Sequence, residues 1–403
     1  MKSVLFRFGV GAAFAAATMV GASVASAQQR DIVLGFQTDR TGVTANIGVP
    51  VGTGYNDYVN LINSKGGVEG FKLRVVEIDN EYKVPPAVEG YERQKREGAV
   101  IIGLFGTPHT QALTARLAED KIPGTSPGFG SAMSRDGKRY PYLFPIAASY
   151  WSQMGGALQF AKQQLGGSLQ GKKIAYLMYD NPAGKEPLPV LEAIAKQEGF
   201  EYRVFAVPPP GVEMGAQILD LTQRFRPDFV VTHLFGRAPS VSIRELKRTG
   251  YPLRKVVAMV WGGAEADIEA AGGYEASEGY NTVQFAGVGG DFPVIREILN
   301  MYASQGREPP RDMRSSVMYN RGVLIAATHV EGIRNAIKLN GGKQPTGEDV
   351  KNGFEAIRDF SLGGLVPPLK ITPEDHEGGG WVRVFRVTKT GFEPVGDWFR
   401  GFP

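Results

Sequence analysis

The 403-residue sequence contains no cysteine. That excludes disulfides, thiol catalysis and thiolate metal sites, so stability has to come from a large apolar core. Histidine is scarce too, with only His109, His233, His329 and His376, and none is spaced as H-E-x-x-H. The phosphate-loop pattern and the G-x-S-x-G nucleophile elbow are both missing. "GVPVGTG" (48–54) is not the G-x-G-x-x-G dinucleotide fingerprint. No catalytic residue, metal site or cofactor is therefore expected. Positive and negative charges nearly balance, 45 Lys and Arg against 41 Asp and Glu, without a basic block. Nucleic acid is not an expected partner. Past the N-terminus, no apolar run approaches the roughly 18 residues that a membrane-spanning helix needs.

The N-terminus is different. Lys2 and Arg7 flank a short Ala- and Gly-rich apolar stretch that ends in Ala25-Ser26-Ala27. This is the pattern of a secretory signal peptide cleaved after Ala27, and it predicts an exported, periplasmic protein. The remaining chain is long enough for two domains.

Apolar runs without alternation recur along it, each followed by a helical pattern. "DIVLGFQTD" (31–39) reads as a strand, a turn follows, and Tyr55, Tyr58, Val59 and Ile62 mark a helix from about 51 to 63. A second strand (72–78), a helix with Pro near its start and a third strand, "AVIIGLF" (99–105), complete a β-α-β-α-β series. A similar series starts near Lys172. Such runs signal parallel strands covered on both faces, hence two doubly wound α/β units in succession. The elements after Gly279 are too few for a third domain and read as additions to both units. That requires several crossings, with one lobe over 31–148 plus 286–358 and the other over 149–285 plus 359–403.

Two loops carry the functional expectation. In "GLFGTPHTQAL" (103–113) a buried strand ends at Gly106, Thr107 reads as a helix cap and Pro108 as the first helical residue. Free N–H groups there, with the Thr107 hydroxyl, form a neutral cradle for an anion. "SPGFGS" (126–131) brings Gly128 and Gly130 for close backbone approach and Phe129 as an apolar cover. Ligands of open α/β sheets bind beyond the strand C-termini, where His109 and His233 also fall. His329 reads as structural and His376, in "PEDHEGGG", as a solvated turn residue. The charged "DNEYKVPPAVEGYERQKREG" (79–98) reads as a solvated helix face.

The chain resembles the Leu/Ile/Val-binding family of periplasmic substrate-binding proteins, over nearly all of its length after the signal segment. The resemblance rests on "INSKGGVEGFKLRVVEID" (62–79), "IGLFGTPHTQAL" (102–113), "PDFVVTHLFG" (227–236) and "ASEGYNTVQF" (276–285), in that order. It implies a type I periplasmic-binding fold, two Rossmann-like lobes joined by several hinge crossovers. It also implies capture of a small carboxylate between the lobes for an ABC permease and its ATPase. Thr107 matches the hydroxyl residue that binds the ligand carboxylate, Gly128 and Gly130 the second loop, and Phe235 an aromatic of the other lobe. The chain departs from the pattern at three places. Gly130 stands where Thr or Ser is usual, Ala183 where Tyr is common, and Trp261 where an acid takes the ligand ammonium, with Glu265 and Asp267 close behind. Without that acid, the walls become Phe129, Tyr150, Trp151, Phe235 and Trp261, with Arg40 as a further charge. That suits an aromatic or hydrophobic carboxylate, while a branched-chain amino acid remains open. A receptor-docking sensor and an exported α/β hydrolase are the alternatives.

Overall fold

The computed structural model describes residues 31–402 apart from Pro127 and Phe129. The signal segment, its cleavage point and Phe129 lie outside the described residues. The first half runs β1 (Ile32–Thr38), α1 (Ala45–Ser64), β2 (Leu73–Asp79), α2 (Val84–Arg96), β3 (Ala99–Gly103), α3 (Thr107–Asp120), β4 (Gly124–Thr125) and β5 (Leu143–Phe144). Next come α4 (Tyr150–Gln164), β6 (Lys173–Tyr179), α5 (Pro182–Lys185), α6 (Leu188–Glu198), β7 (Glu201–Val207), α7 (Gly215–Leu219), β8 (Phe229–His233), α8 (Ala238–Arg248), β9 (Val256–Ala258), α9 (Glu265–Ala270) and β10 (Asn281–Gln284). The chain closes with α10 (Pro293–Ser304), α11 (Ser316–Leu339), α12 (Gly347–Glu355), β11 (Trp381–Val387) and β12 (Phe392–Arg400).

The strands form two sheets, β2-β1-β3-β4-β5 and β12-β11-β10-β9-β8-β6-β7. All pairings in the first are parallel, and β6 to β10 repeat the same order in the second. Reversal of winding direction next to β1 and β6 leaves a crevice at the strand C-termini of each sheet. Every residue of β1 is buried, because helices cover both faces. The late antiparallel strands β11 and β12 extend the second sheet, while α11 packs on α1 and α12 against α11 and β3.

The chain passes between the sheets after β5, after β10 and after α12. The first and last passages are tied together. Ala147 N donates to the Glu377 carbonyl at 2.9 Å, Gly380 N to the Ala147 carbonyl at 2.8 Å, and Ser149 N to the Glu377 carboxylate at 2.5 Å.

Three sequence expectations need correction. α1 begins at Ala45, six residues before the expected start, and carries Pro50 inside it. The apolar run "KVVAMVWGG" (255–263) reads as one strand, but the strand stops at Ala258, which frees Trp261 from the ladder. His376 is fully buried, stacked on Phe144 at 3.9 Å, with Nδ1 at 3.0 Å from the Leu143 carbonyl and Nε2 at 3.1 Å from Glu355. The acidic turn around it folds inward as an interlobe passage.

Candidate functional site

One small cavity lies where the C-terminal strand ends of both sheets meet, with about 20 Å³ open to a water-sized sphere. The first sheet supplies Thr44, Ile47, Tyr82, Phe105 and Gly106 from the segments after β1, β2 and β3. Tyr150, at the start of α4, and Phe235 and Trp261, beyond β8 and β9, supply the rest. Among the described residues, no Asp, Glu, Lys or Arg lines it.

The first half is built around the end of β3. Gly106 takes φ 96°, and a Cβ there would sit 2.5 Å from His109 Nδ1 and 2.8 Å from the Tyr82 ring. Only glycine allows this turn and this contact together. Gly106, rather than Thr107, is the cap, and Thr107 is the first helical residue. Its Oγ1 is buried with no hydrogen-bond partner among the described residues. A buried hydroxyl left so is costly, and here it stands beside the open N–H groups of a 14-residue helix. Thr107 and Pro108 occupy the first turn, and neither lines the cavity, which Gly106 reaches in their place. His109 folds back so that Nδ1 meets the Phe105 carbonyl, with its ring edge-on to Tyr82 at 5.2 Å. Burial pushes its pKa down, so it is a neutral packing residue behind the cavity.

Tyr82 is a wall residue that the charged segment hid. The turn after β2 holds it at φ 56°, where buried Asn80 accepts from Tyr82 N at 2.9 Å and donates to the Phe105 carbonyl at 3.3 Å. Asp39 orders the turn that presents Thr44, accepting from Thr44 N at 2.8 Å and its Oγ1 at 2.6 Å. The remaining clue in the sequence was position alone, an aromatic just past a strand C-terminus.

In the second half, Ser149 caps α4 and sets Tyr150 against His233, ring centroids 4.3 Å apart. Burial pushes the Tyr150 hydroxyl well above its ordinary pKa, and the facing Thr107 and Trp261 side chains pull the other way. Phe235 packs edge-on to Tyr179 at 4.5 Å and lies 5.7 Å from Tyr82 of the other sheet. Burial likewise pushes His233 down to about 3, so it is neutral, and it sits behind Tyr150 and Phe235.

The Gly128 carbonyl joins the halves, accepting from Trp261 Nε1 at 3.2 Å and Gln153 Nε2 at 3.0 Å. Gly130 packs on α3, where a Cβ would stand 2.7 Å from Thr110 Oγ1. The space a Thr or Ser would need is therefore filled. Trp151 donates Nε1 to the Glu186 carbonyl at 3.1 Å and does not line the cavity. Arg40 pairs with Glu77 at 2.6 Å and also lies off the lining. Glu265 accepts from Ser316 Oγ at 2.6 Å and Asp267 from Ala264 N at 3.0 Å. Both acids expected near a ligand ammonium are thus engaged elsewhere. Among the described residues, no cluster of three or more His, Asp and Glu could hold a metal ion.

The lobes also touch directly. Asn46 Nδ2 donates to the Gly236 carbonyl at 3.2 Å, and Ala132 N donates to Oε1 of Glu186.

This two-sheet architecture is widely shared. A solved protein of the Pseudomonas fluorescens group, described as an ABC transporter permease, superposes with a TM-score of 0.84 at 32% identity over 93% of each chain. A branched-chain amino acid ABC transporter protein from Thermus thermophilus, solved with bound valine, gives 0.80 at 23% identity, covering 92% of this chain and 97% of that one. By sequence, the Leu/Ile/Val-binding protein homolog 7 of Brucella suis biovar 1 (strain 1330) is 25% identical, over 83% of this chain and 88% of its own. The profile of the periplasmic binding protein family matches residues 31–392. The chain therefore belongs to the periplasmic binding protein family, as a substrate-binding protein of the ABC-transporter type and not an enzyme.

Proposed function

We propose that this protein captures a small hydrophobic carboxylate lacking an ammonium group and delivers it to a permease and ATPase at the inner membrane. The signal segment is cleaved after Ala27 in this reading, and the protein works in the periplasm. Lobes over 31–148 plus 286–358 and over 149–285 plus 359–403 close on the ligand. One observation carries the choice of ligand: behind Gly106 of the lining, at a helix N-terminus, the buried Thr107 hydroxyl has no hydrogen-bond partner among the described residues, and the lining holds no carboxylate. The carboxylate end of a ligand would satisfy the hydroxyl and the helix N–H groups. An ammonium would be desolvated without an anionic partner, which is costly. Tyr82, Phe105, Tyr150, Phe235 and Trp261 offer ring surface to an apolar body.

The valine-bound structural neighbour supports a second reading, a branched-chain amino acid. A thermal-shift and calorimetric comparison of matched pairs separates the two. We expect 4-methylpentanoate or phenylacetate to raise the melting temperature, and leucine or phenylalanine to do so far less. At a hundredfold excess over Kd the stabilisation is about 2.7 kcal/mol. Tighter binding of the amino acids would overturn the carboxylate-only reading.

A further inference from the structure

An aromatic cavity without charged lining does not by itself choose an anion. Ring faces attract cations, and cages of this kind also hold quaternary ammonium groups. The choice is made by a residue one layer behind the wall. We propose that Arg321 sets the charge selectivity of the cavity, favouring a ligand carboxylate and excluding a ligand ammonium. The proposal rests on the reading above that a carboxylate occupies the cavity.

Arg321, on α11, is fully buried. Its guanidinium carbon lies 4.7 Å from the ring centroid of Trp261 and 5.2 Å from that of Phe285. A cation already stands over the ring that would otherwise help to hold one. Its hydrogen bonding is incomplete. Nη2 donates to Gln284 Oε1, Nη1 meets only the Met318 sulfur at 3.3 Å, and Nε has no partner among the described residues. Glu265 and Asp267 are near enough to favour its charge, yet neither forms an ion pair with it. Burial lowers its pKa to about 9, which leaves it charged at neutral pH.

A buried cation without an ion-pair partner projects its field over several ångströms, because little water is present to screen it. That field reaches the cavity through Trp261. It also couples to Tyr150, whose hydroxyl faces Thr107. The Thr107 hydroxyl supplies a hydrogen bond to the ligand, and Arg321 supplies the opposite charge without touching it. Arg321 is therefore a selectivity residue that acts at a distance.

The test compares Kd for phenylacetate, phenylacetamide and phenylalanine on wild-type protein and on Arg321→Met, Arg321→Gln and Arg321→Lys. Wild-type protein should bind the acid in preference to its amide. In Arg321→Met and Arg321→Gln that preference should fall by roughly tenfold, a loss typical of one charge acting over several ångströms at low effective dielectric. Affinity for the amide should change little, and phenylalanine should gain relative to phenylacetate. Arg321→Lys, which keeps the charge, should keep the preference even if packing suffers. If the neutral variants retain the wild-type acid-over-amide ratio, Arg321 is a packing residue and the inference fails while the carboxylate reading stands. If wild-type protein itself shows no preference for the acid, the carboxylate reading fails first and the inference with it.

Discussion

At the scale of one side chain, the proposed function rests on Thr107. Its hydroxyl is buried, held by a helix start and left without a partner among the described residues. Thr107→Val keeps the shape and removes the polar atom. For phenylacetate we expect Kd to weaken by about 1–3 kcal/mol, roughly ten- to a hundredfold. The ligand-free protein should lose no stability, since an unsatisfied hydroxyl disappears with the substitution. Thr107→Ser should restore binding. Equal affinity in Thr107→Val by calorimetry would remove this residue from the site. The helix start near Thr107 was legible to within one residue because its signal is local, with an apolar run, a glycine and a helix pattern within a few residues, although Gly106 and not Thr107 is the cap. Tyr82 was not, because its inward position depends on Asn80 bridging to Phe105, more than twenty residues away. His376 was misread for the same reason, since Leu143 and Glu355 bury it and neither is a chain neighbour.

At the scale of elements, the strands were legible as apolar runs and their doubly wound order follows from parallel pairing. The return of α11 to the first lobe, alongside α1, depends on two glycines whose purpose shows only in the packed pair. A Cβ on Gly54 would stand 2.2 Å from the Tyr319 carbonyl oxygen, and one on Gly322 2.0 Å from the Val51 carbonyl oxygen. The helices therefore meet backbone to backbone, closer than any larger residue allows. Backbone cannot swing aside as a side chain can, so Gly322→Ala must push the pair apart. The expected cost is about 1–3 kcal/mol or more, read as a lower denaturation midpoint. Gly290→Ala, with open space around the new methyl and no positive φ, is the control and should stay within about 0.5 kcal/mol of wild type. Equal midpoints for the two variants would show that the contact is loose. The same pair places the start of α1, with Thr44 and Ile47, and carries Arg321 on α11, so one helix contact locates both a wall and a charge of the candidate site.

In the proposed function the molecule works by bringing two lobes together, and a titratable group sits on the contact between them. Glu186, from the second lobe of that reading, accepts the Ala132 N–H of the first, while its Oε2 is buried without a partner among the described residues. Burial raises its pKa to about 7, and the Ala132 and Ser131 N–H groups oppose that rise without cancelling it. Tyr150 and Tyr176 feel the same charge, but burial holds both well above their ordinary values, so they stay neutral. When the lobes part, as the proposed function requires, the carboxyl would meet water and return toward its ordinary value of 4.5. A group whose pKa is higher in the closed form favours closing while protonated. That advantage is complete below the ordinary value and is lost as pH rises through about 7. Asp267, also raised to about 7, caps its own helix within one lobe and keeps that role when the lobes part. We expect the affinity for phenylacetate to fall between pH 5 and 7, by at most roughly tenfold per unit, and to level off above. Glu186→Gln keeps an acceptor for Ala132 N and removes the charge. Its binding should depend less on pH than wild type and be tighter at pH 8, with the remaining dependence coming from Glu265, whose pKa burial also raises and which accepts from Ser316 across the same contact. A wild-type profile that stays flat, or rises, across that window would mean that Glu186 remains solvated when the lobes close.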